Sequence, residues 1–143
     1  MVVIADTSPL NYLVLIGEVE VLPKLYGAVI SPNAVFSELR DPRAPAAVAR
    51  WLASRPPWLS VEEALPLPGL PSDLDRGECE ALALASAGLP DALLLVDDEQ
   101  GRRQAERRGI PTTGTLGVLM AAAGKGMLNL PLRSKNCRRP TSM

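Results

Sequence analysis

Histidine is absent from all 143 residues of the chain, and this absence excludes several classes of site. A Ser-His-Asp or Cys-His catalytic group needs an imidazole, and so does an imidazole-bound zinc, copper or non-haem iron site. Any chemistry must therefore depend on carboxylates, hydroxyls, lysine or arginine. Sites built from carboxylates favour hard cations with oxygen ligands, chiefly Mg²⁺ and Mn²⁺.

Aromatic residues, cysteines and long apolar runs are also scarce. Aromatic residues make up 3% of a chain that is 47% hydrophobic, so the core must be aliphatic. The two cysteines, Cys79 and Cys137, do not form a disulfide framework or a zinc site. No apolar run approaches the roughly 18 residues that span a bilayer, and the N-terminus lacks the basic segment of a signal peptide. We therefore expect a cytoplasmic protein that makes no use of a membrane.

Charge is unevenly distributed along the chain. The formal net charge is −1, but the last 13 residues carry four basic side chains and no acid, so the rest of the chain is acidic. We expect residues 1–128 to form one domain and residues 129–143 to form a basic, flexible C-terminal tail.

Apolar strands alternate with helices along the chain, which predicts an α/β fold with a central, mainly parallel sheet covered by helices on both faces. Ser8 and Ser31, each followed by proline, are predicted to cap helices. The predicted strands are 2–5, 28–30, 58–61, 92–96 and 110–112. The predicted helices are 10–16, 19–26, 32–39, 45–54, 75–87 (or from Ser72), 99–108 and 115–125.

Five acids lie where the chemistry of such a fold would be expected. Asp6 ends the first strand, and Asp97 and Asp98 end the strand at 92–96. The crevice of a parallel sheet lies outside the carboxyl ends of its strands, so these side chains meet if the two strands are neighbours. Glu38 follows the second strand, and Glu78 lies in the first turns of the long helix.

Glu78 shares a helix face with Leu82 and should lie beside the buried face, whereas Glu80 should face water. A carboxylate next to an apolar face is costly unless it is paired or binds a cation. The alternative is that these are ordinary structural acids, with Asp98 as an N-cap and Asp6 as a strand-end cap. Because all of these acids are predicted to lie at the same edge of the sheet, a shared site is favoured over separate structural roles.

These acidic blocks, taken in order, resemble those of a PIN domain. The blocks are Asp6-Thr7-Ser8 after the first strand, SPNAVFSELR around Glu38, RGECEALALA around Glu78 and LLLVDDEQGRR around the aspartate pair. The later TGTLGVL resembles a prokaryotic PIN-like subgroup related to the toxins of type II toxin–antitoxin pairs. The resemblance covers residues 2–128.

The resemblance implies a three-layer α/β/α fold and an endoribonuclease that cleaves RNA phosphodiesters with a metal-activated water. Carried over by position, Asp6, Glu38, Glu78 and Asp98 would be the catalytic acids and hold Mg²⁺ or Mn²⁺. Asp97 is an alternative ligand, because the register of its block is ambiguous by one residue. The resemblance also implies an RNA substrate, a cognate antitoxin and a homodimer.

Basic and hydroxyl side chains near these acids are candidates for supporting roles. Three arginines after Asp98 could hold RNA phosphates, together with Arg108; they are Arg102, Arg103 and Arg107. The alternative is a solvated helix whose basic end suits the macrodipole. The hydroxyls of Thr7 and Ser8 could orient a water molecule, although capping also explains Ser8. Thr115 could cap the last helix or line the site.

Other folds that gather acids fit less well. A response-receiver domain needs a lysine at a late strand end, and a haloacid-dehalogenase-type phosphatase needs an aspartate where Ser8 stands. A dinucleotide-binding domain needs a glycine-rich turn after the first strand. The remaining rival is a PIN-like binding module with weak or lost nuclease activity, and the presence of all four acids argues against it.

The predicted tail leads to a deletion experiment. Because residues 131–143 have few apolar side chains, removing them should change the melting temperature by no more than about 2 °C. Nucleic-acid binding should weaken at low salt, because the tail offsets the repulsion between the acidic body and phosphate. A truncated protein that does not fold, or that changes its oligomeric state, would contradict this prediction.

Overall fold

The structure is a computed structural model that describes residues 1–54 and 56–128. The predicted tail at 129–143 and Cys137 lie outside the described residues. The described chain forms a central sheet with helices on both faces, which confirms the predicted three-layer α/β/α class. Among the described residues, no helix combines the length and the apolar character needed to cross a bilayer.

Five strands form the sheet, and every strand pairing found in the described residues is parallel. They are β1 (Val2–Ala5), β2 (Val29–Pro32), β3 (Leu59–Glu62), β4 (Ala92–Leu95) and β5 (Thr112–Thr113). Their order is β3-β2-β1-β4-β5. β1 pairs with β4 along its whole length, from Val2 opposite Ala92 to Ala5 opposite Leu95. The predicted strand at 110–112 is shifted towards the C-terminus.

The helices are α1 (Thr7–Leu15), α2 (Val21–Tyr26), α3 (Asn33–Leu39), α4 (Ala46–Ala53), α5 (Arg76–Ala87), α6 (Glu99–Arg107) and α7 (Thr115–Gly124). Successive side chains of β1 point to opposite faces of the sheet, so they contribute to two aliphatic cores. Val3 and Ala5 pack with buried side chains of α1, α2, α4 and α7. Ile4 packs with Leu82 of α5 and Ala105 of α6. The sheet is therefore buried on both faces.

Neither Ser8 nor Ser31 caps a helix as predicted. Asp6, not Ser8, occupies the N-cap position of α1, because its backbone is still extended and its N–H donates to the Leu95 carbonyl at 2.9 Å. Ser31 is a strand residue, because it pairs with Val61 of β3, and its buried hydroxyl donates to the Ala5 carbonyl at 3.0 Å. The second strand therefore continues through Pro32, and α3 begins at Asn33.

Glu80 does not face water, contrary to the helical-face prediction. Its carboxylate accepts the Ala34 N–H at 2.9 Å and the Arg76 Nε–H at 3.1 Å. Ala34 lies in the first turn of α3, whose N-cap residue is Pro32 and has no side-chain acceptor. Glu80 therefore caps α3 from α5. This role was not predictable from the helical period, because it depends on a helix 46 residues away in sequence.

The contact predicts a stability difference between two substitutions at one position. Glu80→Ala should lower the free energy of unfolding by about 1 kcal/mol, because a first-turn N–H of α3 loses its acceptor. Glu80→Gln should cost less, because its amide oxygen can still accept that N–H. Denaturant unfolding measures both, with the exposed Glu106→Ala as the control. If Glu80→Ala and Glu80→Gln lowered the free energy of unfolding equally, the contribution of Glu80 would come from its charge and not from capping α3.

Candidate active site

The acids converge beside the centre of the sheet. β1 and β4 are neighbours, and the chain leaves β1 towards β2 on one side and leaves β4 towards β5 on the other. Their boundary is therefore a topological switch point, where the loops that follow the two strands diverge and leave a crevice. Asp6 follows β1 directly, and Asp97 and Asp98 follow β4. The condition under which these acids were expected to meet, that the two strands are neighbours, is therefore met.

Three helices direct their N-termini towards this crevice. Asp6, Asp75 and Asp98 occupy the N-cap positions of α1, α5 and α6. Asp98 Oδ2 accepts the Gly101 N–H at 2.9 Å. The positive end of a helix dipole stabilises negative charge within its first turn. The structural role considered as an alternative for Asp98 is therefore present, alongside its position among the other acids.

Asp6 and Glu38 meet beside Gly77, the second residue of α5. A Cβ atom at Gly77 would lie 2.8 Å from Glu38 Oε1 and 3.5 Å from Asp6 Oδ1. A Cβ atom there would force the Glu38 carboxylate to shift, whereas its contact with Asp6 would be an ordinary van der Waals one. The Thr7 hydroxyl donates to Glu38 Oε1, so Thr7 orients this acid across the crevice. Ser8 lies half-buried in the first turn of α1.

Glu78 and Asp98 form a second pair, beside Gly101 of α6. A Cβ atom at Gly101 would lie 3.8 Å from Glu78 Oε2 and 3.9 Å from Asp98 Oδ2. Glu78 also belongs to a capping box, in which its N–H donates to Asp75 Oδ1 at 2.8 Å and its Oε1 accepts the Asp75 N–H at 3.2 Å. Glu78 is 9% exposed, so its position beside the buried face agrees with the prediction.

Asp75, the N-cap residue of α5, is a fifth acid in the crevice, and the sequence indicated it only as a possible start of that helix. Its negative charge contributes to raising the pKa of both Asp6 and Glu78. The spacing Asp75-x-x-Glu78 is the signature of a capping box. That pattern could have indicated that Asp75 accompanies Glu78 into the site.

Burial and mutual repulsion make two of the acids weak acids. Burial, assisted by the charges of Asp75, Glu38 and Asp98, raises the pKa of Asp6 from 3.8 to about 7. Burial, together with Asp75 and a hydrogen-bonding contact with Asp98, raises the pKa of Glu78 from 4.5 to about 7. Within residues 1–54 and 56–128, no lysine or arginine forms an ion pair with any of the four candidate acids.

The donor chemistry of the crevice fits a hard divalent cation. All the candidate ligands are carboxylate oxygens, and a cation would relieve the repulsion that raises these pKa values. The carboxylates lie as two pairs, Asp6 with Glu38 and Glu78 with Asp98. As they stand, no three acidic or cysteine side chains of the described chain are grouped tightly enough to hold an ion. Binding would therefore require the two pairs to close on the ion.

The two adjacent aspartates have different partners. Asp97 Oδ1 accepts the Thr115 N–H at 2.7 Å, and its Oδ2 accepts the Thr115 hydroxyl at 2.6 Å. Asp98 instead contacts Glu78. Thr115 is the first residue of α7 and follows the N-cap residue Gly114. The cap of α7 thus comes from Asp97, rather than from Thr115 itself.

The four arginines differ in how they are held. Arg103 pairs with Glu99 at 3.1 Å, and Arg108 donates to Gln104 Oε1 at 2.8 Å, which holds it against its own helix. Arg102 and Arg107 are exposed and take part in no ion pair found in the described part of the chain.

A groove of about 700 Å³ runs along α6 and past β5. Arg102 and Arg103 line this groove, and of the candidate acids only Asp97 reaches it. This groove therefore lies beside the acidic crevice, not over it. A smaller cavity of about 250 Å³ adjoins the crevice at Glu38 and is bordered by Ser37 and Gly77.

Comparisons with known proteins agree with this architecture. The DUF3368 family model, described as a PIN domain, matches residues 2–134. A PilT N-terminus domain protein from the hyperthermophilic archaeon Sulfolobus solfataricus P2 has a similar structure, with a TM-score of 0.61 and 16% sequence identity. The match covers 85% of this chain and 93% of the archaeal one. The chain matches no curated protein.

The raised pKa values predict how stability depends on pH without metal. A carboxyl with a higher pKa in the folded protein holds an extra proton when folded, so stability falls as the pH rises from about 4 to about 7. Asp6→Asn removes the contribution of Asp6. Its free energy of unfolding should exceed that of wild-type at pH 8 by on the order of 1–4 kcal/mol and match it near pH 4.

Urea unfolding in EDTA at several pH values measures this difference, with Glu106→Gln as an exposed control that should track wild-type. Saturating Mn²⁺ should reverse the order at pH 8, because only wild-type keeps the full set of carboxylates. An Asp6→Asn variant that is less stable at every pH would contradict the prediction.

Proposed function

The chain belongs to the PIN domain family, and from this membership and the acidic crevice we propose that it is a divalent-metal-dependent endoribonuclease. The observation that carries the proposal is the convergence of four carboxylates at the switch point of the sheet. Two of them have pKa values raised to about 7, and no basic side chain among the described residues neutralises them. A site of this kind destabilises the fold unless it binds a cation.

Asp6, Glu38, Glu78 and Asp98 are the proposed ligands of Mg²⁺ or Mn²⁺. When bound, the ion would polarise a water molecule and offset charge on the scissile phosphate. Asp98 is preferred to Asp97 because Asp98 lies against Glu78, whereas both oxygens of Asp97 are bonded to Thr115. Thr7 holds Glu38 in place through its hydroxyl, and Ser8 remains a candidate for orienting water.

Arginines on α6 are proposed to hold the RNA backbone. Arg102 is the strongest candidate, because its guanidinium lies 3.7 Å from the Cβ position of Gly114, next to the end of β4. Arg107 is exposed further along the same helix, and Arg103 is held by Glu99. Arg108 is held by Gln104 and is a weaker candidate. An RNA strand bound in the groove beside α6 would thus enter the crevice from the side that Arg102 borders.

We propose further that the protein is the toxin of a toxin–antitoxin pair, acts in the cytoplasm and forms a homodimer. The resemblance of the five sequence blocks supports the toxin role. Exposed apolar side chains on α1 and α7, which pack together, support self-association; they are Tyr12, Leu116 and Met120, which are 52%, 70% and 66% exposed. An adjacent gene that encodes a small DNA-binding protein and relieves growth arrest on co-expression would support the pairing.

The alternative function is an RNA-binding module of the PIN type without cleavage. Binding would then depend on α6 and be indifferent to the charge of the crevice. The two functions are separated by whether RNA is cut and by which residues its binding requires.

Cleavage should follow the metal and the acids. Purified protein should cut single-stranded RNA with Mn²⁺ and not with EDTA, and Asp6→Asn or Glu78→Gln should lower the rate by on the order of 100-fold or more. The exposed Glu63→Gln should match wild-type. Because both amide variants keep their hydrogen-bond acceptors, they should remain folded in thermal melts. Cleavage that persists in EDTA, or binding without any cleavage, would favour the alternative.

Arg102 should contribute to RNA binding more than Arg103. In a Glu78→Gln background that cannot cut, Arg102→Ala should weaken RNA binding and reduce the slope of log affinity against log salt by about 0.7. Arg103→Ala is the matched control, because that side chain is already paired with Glu99. Made in the wild-type protein, where Glu78 is kept as a proposed ligand, neither arginine change should alter Mn²⁺ affinity. An unchanged salt slope for Arg102→Ala would indicate that the arginines of α6 are solvated surface residues that do not contact RNA phosphates.

A further inference from the structure

We infer that Asp97 is a positioning residue, which joins the start of α7 to the end of β4 and so sets the place of Asp98 and Arg102. The inference rests on the proposed function for its catalytic consequence and on the hydrogen bonds of Asp97 for its structural part. It differs from the ligand role that the sequence allows for Asp97.

Both oxygens of the Asp97 carboxylate accept hydrogen bonds from one residue, Thr115. Asp97 Oδ1 accepts the Thr115 N–H at 2.7 Å and its Oδ2 accepts the Thr115 hydroxyl at 2.6 Å. The N-cap residue of α7 is Gly114, which has no side chain to accept a first-turn N–H. Asp97 supplies that acceptor from another element, 18 residues earlier in the chain. A carboxylate bonded through both oxygens in this way is oriented by Thr115.

Two glycines near Thr115, Gly114 and Gly117, leave the space that this contact needs. A Cβ atom at Gly114 would lie 2.7 Å from Asp97 Oδ1, so any other residue there would displace the carboxylate. A Cβ atom at Gly117 would collide with the Thr113 hydroxyl, so the second glycine lets α7 approach β5. The TGTLG segment at 113–117 therefore brings strand, turn and helix together around Asp97.

The contact lies next to the proposed catalytic groups along the chain. The Val96 N–H donates to the Thr113 carbonyl at 3.0 Å, which holds the end of β4 against β5. Asp97 follows and is bonded to Thr115, and Asp98 comes next, where it caps α6 and contacts Glu78. Arg102 also lies against Gly114. Fixing residue 97 thus places a proposed metal ligand and a proposed phosphate contact relative to each other.

Asparagine at position 97 separates positioning from ligation. Its amide oxygen can accept the Thr115 N–H and its amide NH₂ can donate to the Thr115 hydroxyl, so Asp97→Asn keeps the contact but removes the charge. We expect Mn²⁺ affinity, measured by calorimetry, to stay within about threefold of wild-type in Asp97→Asn, while Asp97→Ala lowers kcat for RNA cleavage by about 10–100-fold. Asp98→Asn is the comparison for loss of a proposed ligand.

Hydrogen exchange in the metal-free protein tests the contact without activity. The Thr115 amide should exchange faster in Asp97→Ala than in wild-type or Asp97→Asn, and the backbone chemical shifts of Gly101, whose N–H is bonded to Asp98, should move more in Asp97→Ala than in Asp97→Asn. Thr115→Val should lose part of kcat and Thr115→Ser should restore it. Because both residues act through one contact, Asp97→Ala and Thr115→Val should be non-additive, which a structural effect at two independent sites would not produce.

Three results would overturn the inference. One is a loss of Mn²⁺ affinity in Asp97→Asn as large as that in Asp98→Asn. Another is an unchanged kcat in Asp97→Ala despite faster exchange at Thr115. The third is unmoved Gly101 shifts in metal-free Asp97→Ala. If wild-type itself neither binds Mn²⁺ nor cuts RNA, the proposed function fails, and the exchange and shift measurements still decide the structural part. If Asp97→Ala does not fold, the Asp97→Asn and Thr115 comparisons decide it.

Discussion

Burial of negative charge at the centre of the sheet edge is the constraint on which this structure depends. Asp6 and Glu78 are 5% and 9% exposed, and no basic side chain among the described residues pairs with them. Removing a carboxylate from water without a partner is costly. The fold reduces that cost by placing the N-termini of α1, α5 and α6 around the crevice, where helix dipoles and first-turn N–H groups face the acids. The remaining cost is expressed as raised pKa values.

The same carboxylates end helices and form the site, so the structural and functional interpretations of these acids are compatible. Asp98 caps α6 through the Gly101 N–H, and Glu78 completes a capping box with Asp75. Capping needs an oxygen acceptor, which an amide also provides, whereas cation binding needs the negative charge. Substitution by asparagine or glutamine therefore separates two roles that substitution by alanine would remove together.

The chain belongs to the PIN domain family, and its structure is similar to that of an archaeal PilT N-terminus domain protein although their sequences are 16% identical. The fold is therefore compatible with low sequence identity. What this chain supplies is a pattern: aliphatic strands, acids at their ends, and glycines where carboxylates approach a backbone. Gly77 leaves the space that the Glu38 carboxylate occupies, and Gly114 leaves the space that the Asp97 carboxylate occupies. Under the proposed function, an acidic crevice repels the phosphate it must approach, so an arginine such as Arg102 at its border offsets that repulsion.

The sequence by itself determined the order of strands and helices, the aliphatic core on two faces and the placement of acids at strand ends. These depend on local periodicity and on residue chemistry, which a single chain displays. Only the tertiary structure decided that β1 lies next to β4, that Asp97 bonds Thr115 while Asp98 lies against Glu78, that Glu80 caps α3 and that Asp75 joins the site. Each of these arrangements depends on how elements that are distant in sequence pack together, and on the side-chain rotamer in which a capping acid reaches its backbone partner. Spacing along the chain locates the end of an element, but it does not say which distant backbone group that end will face.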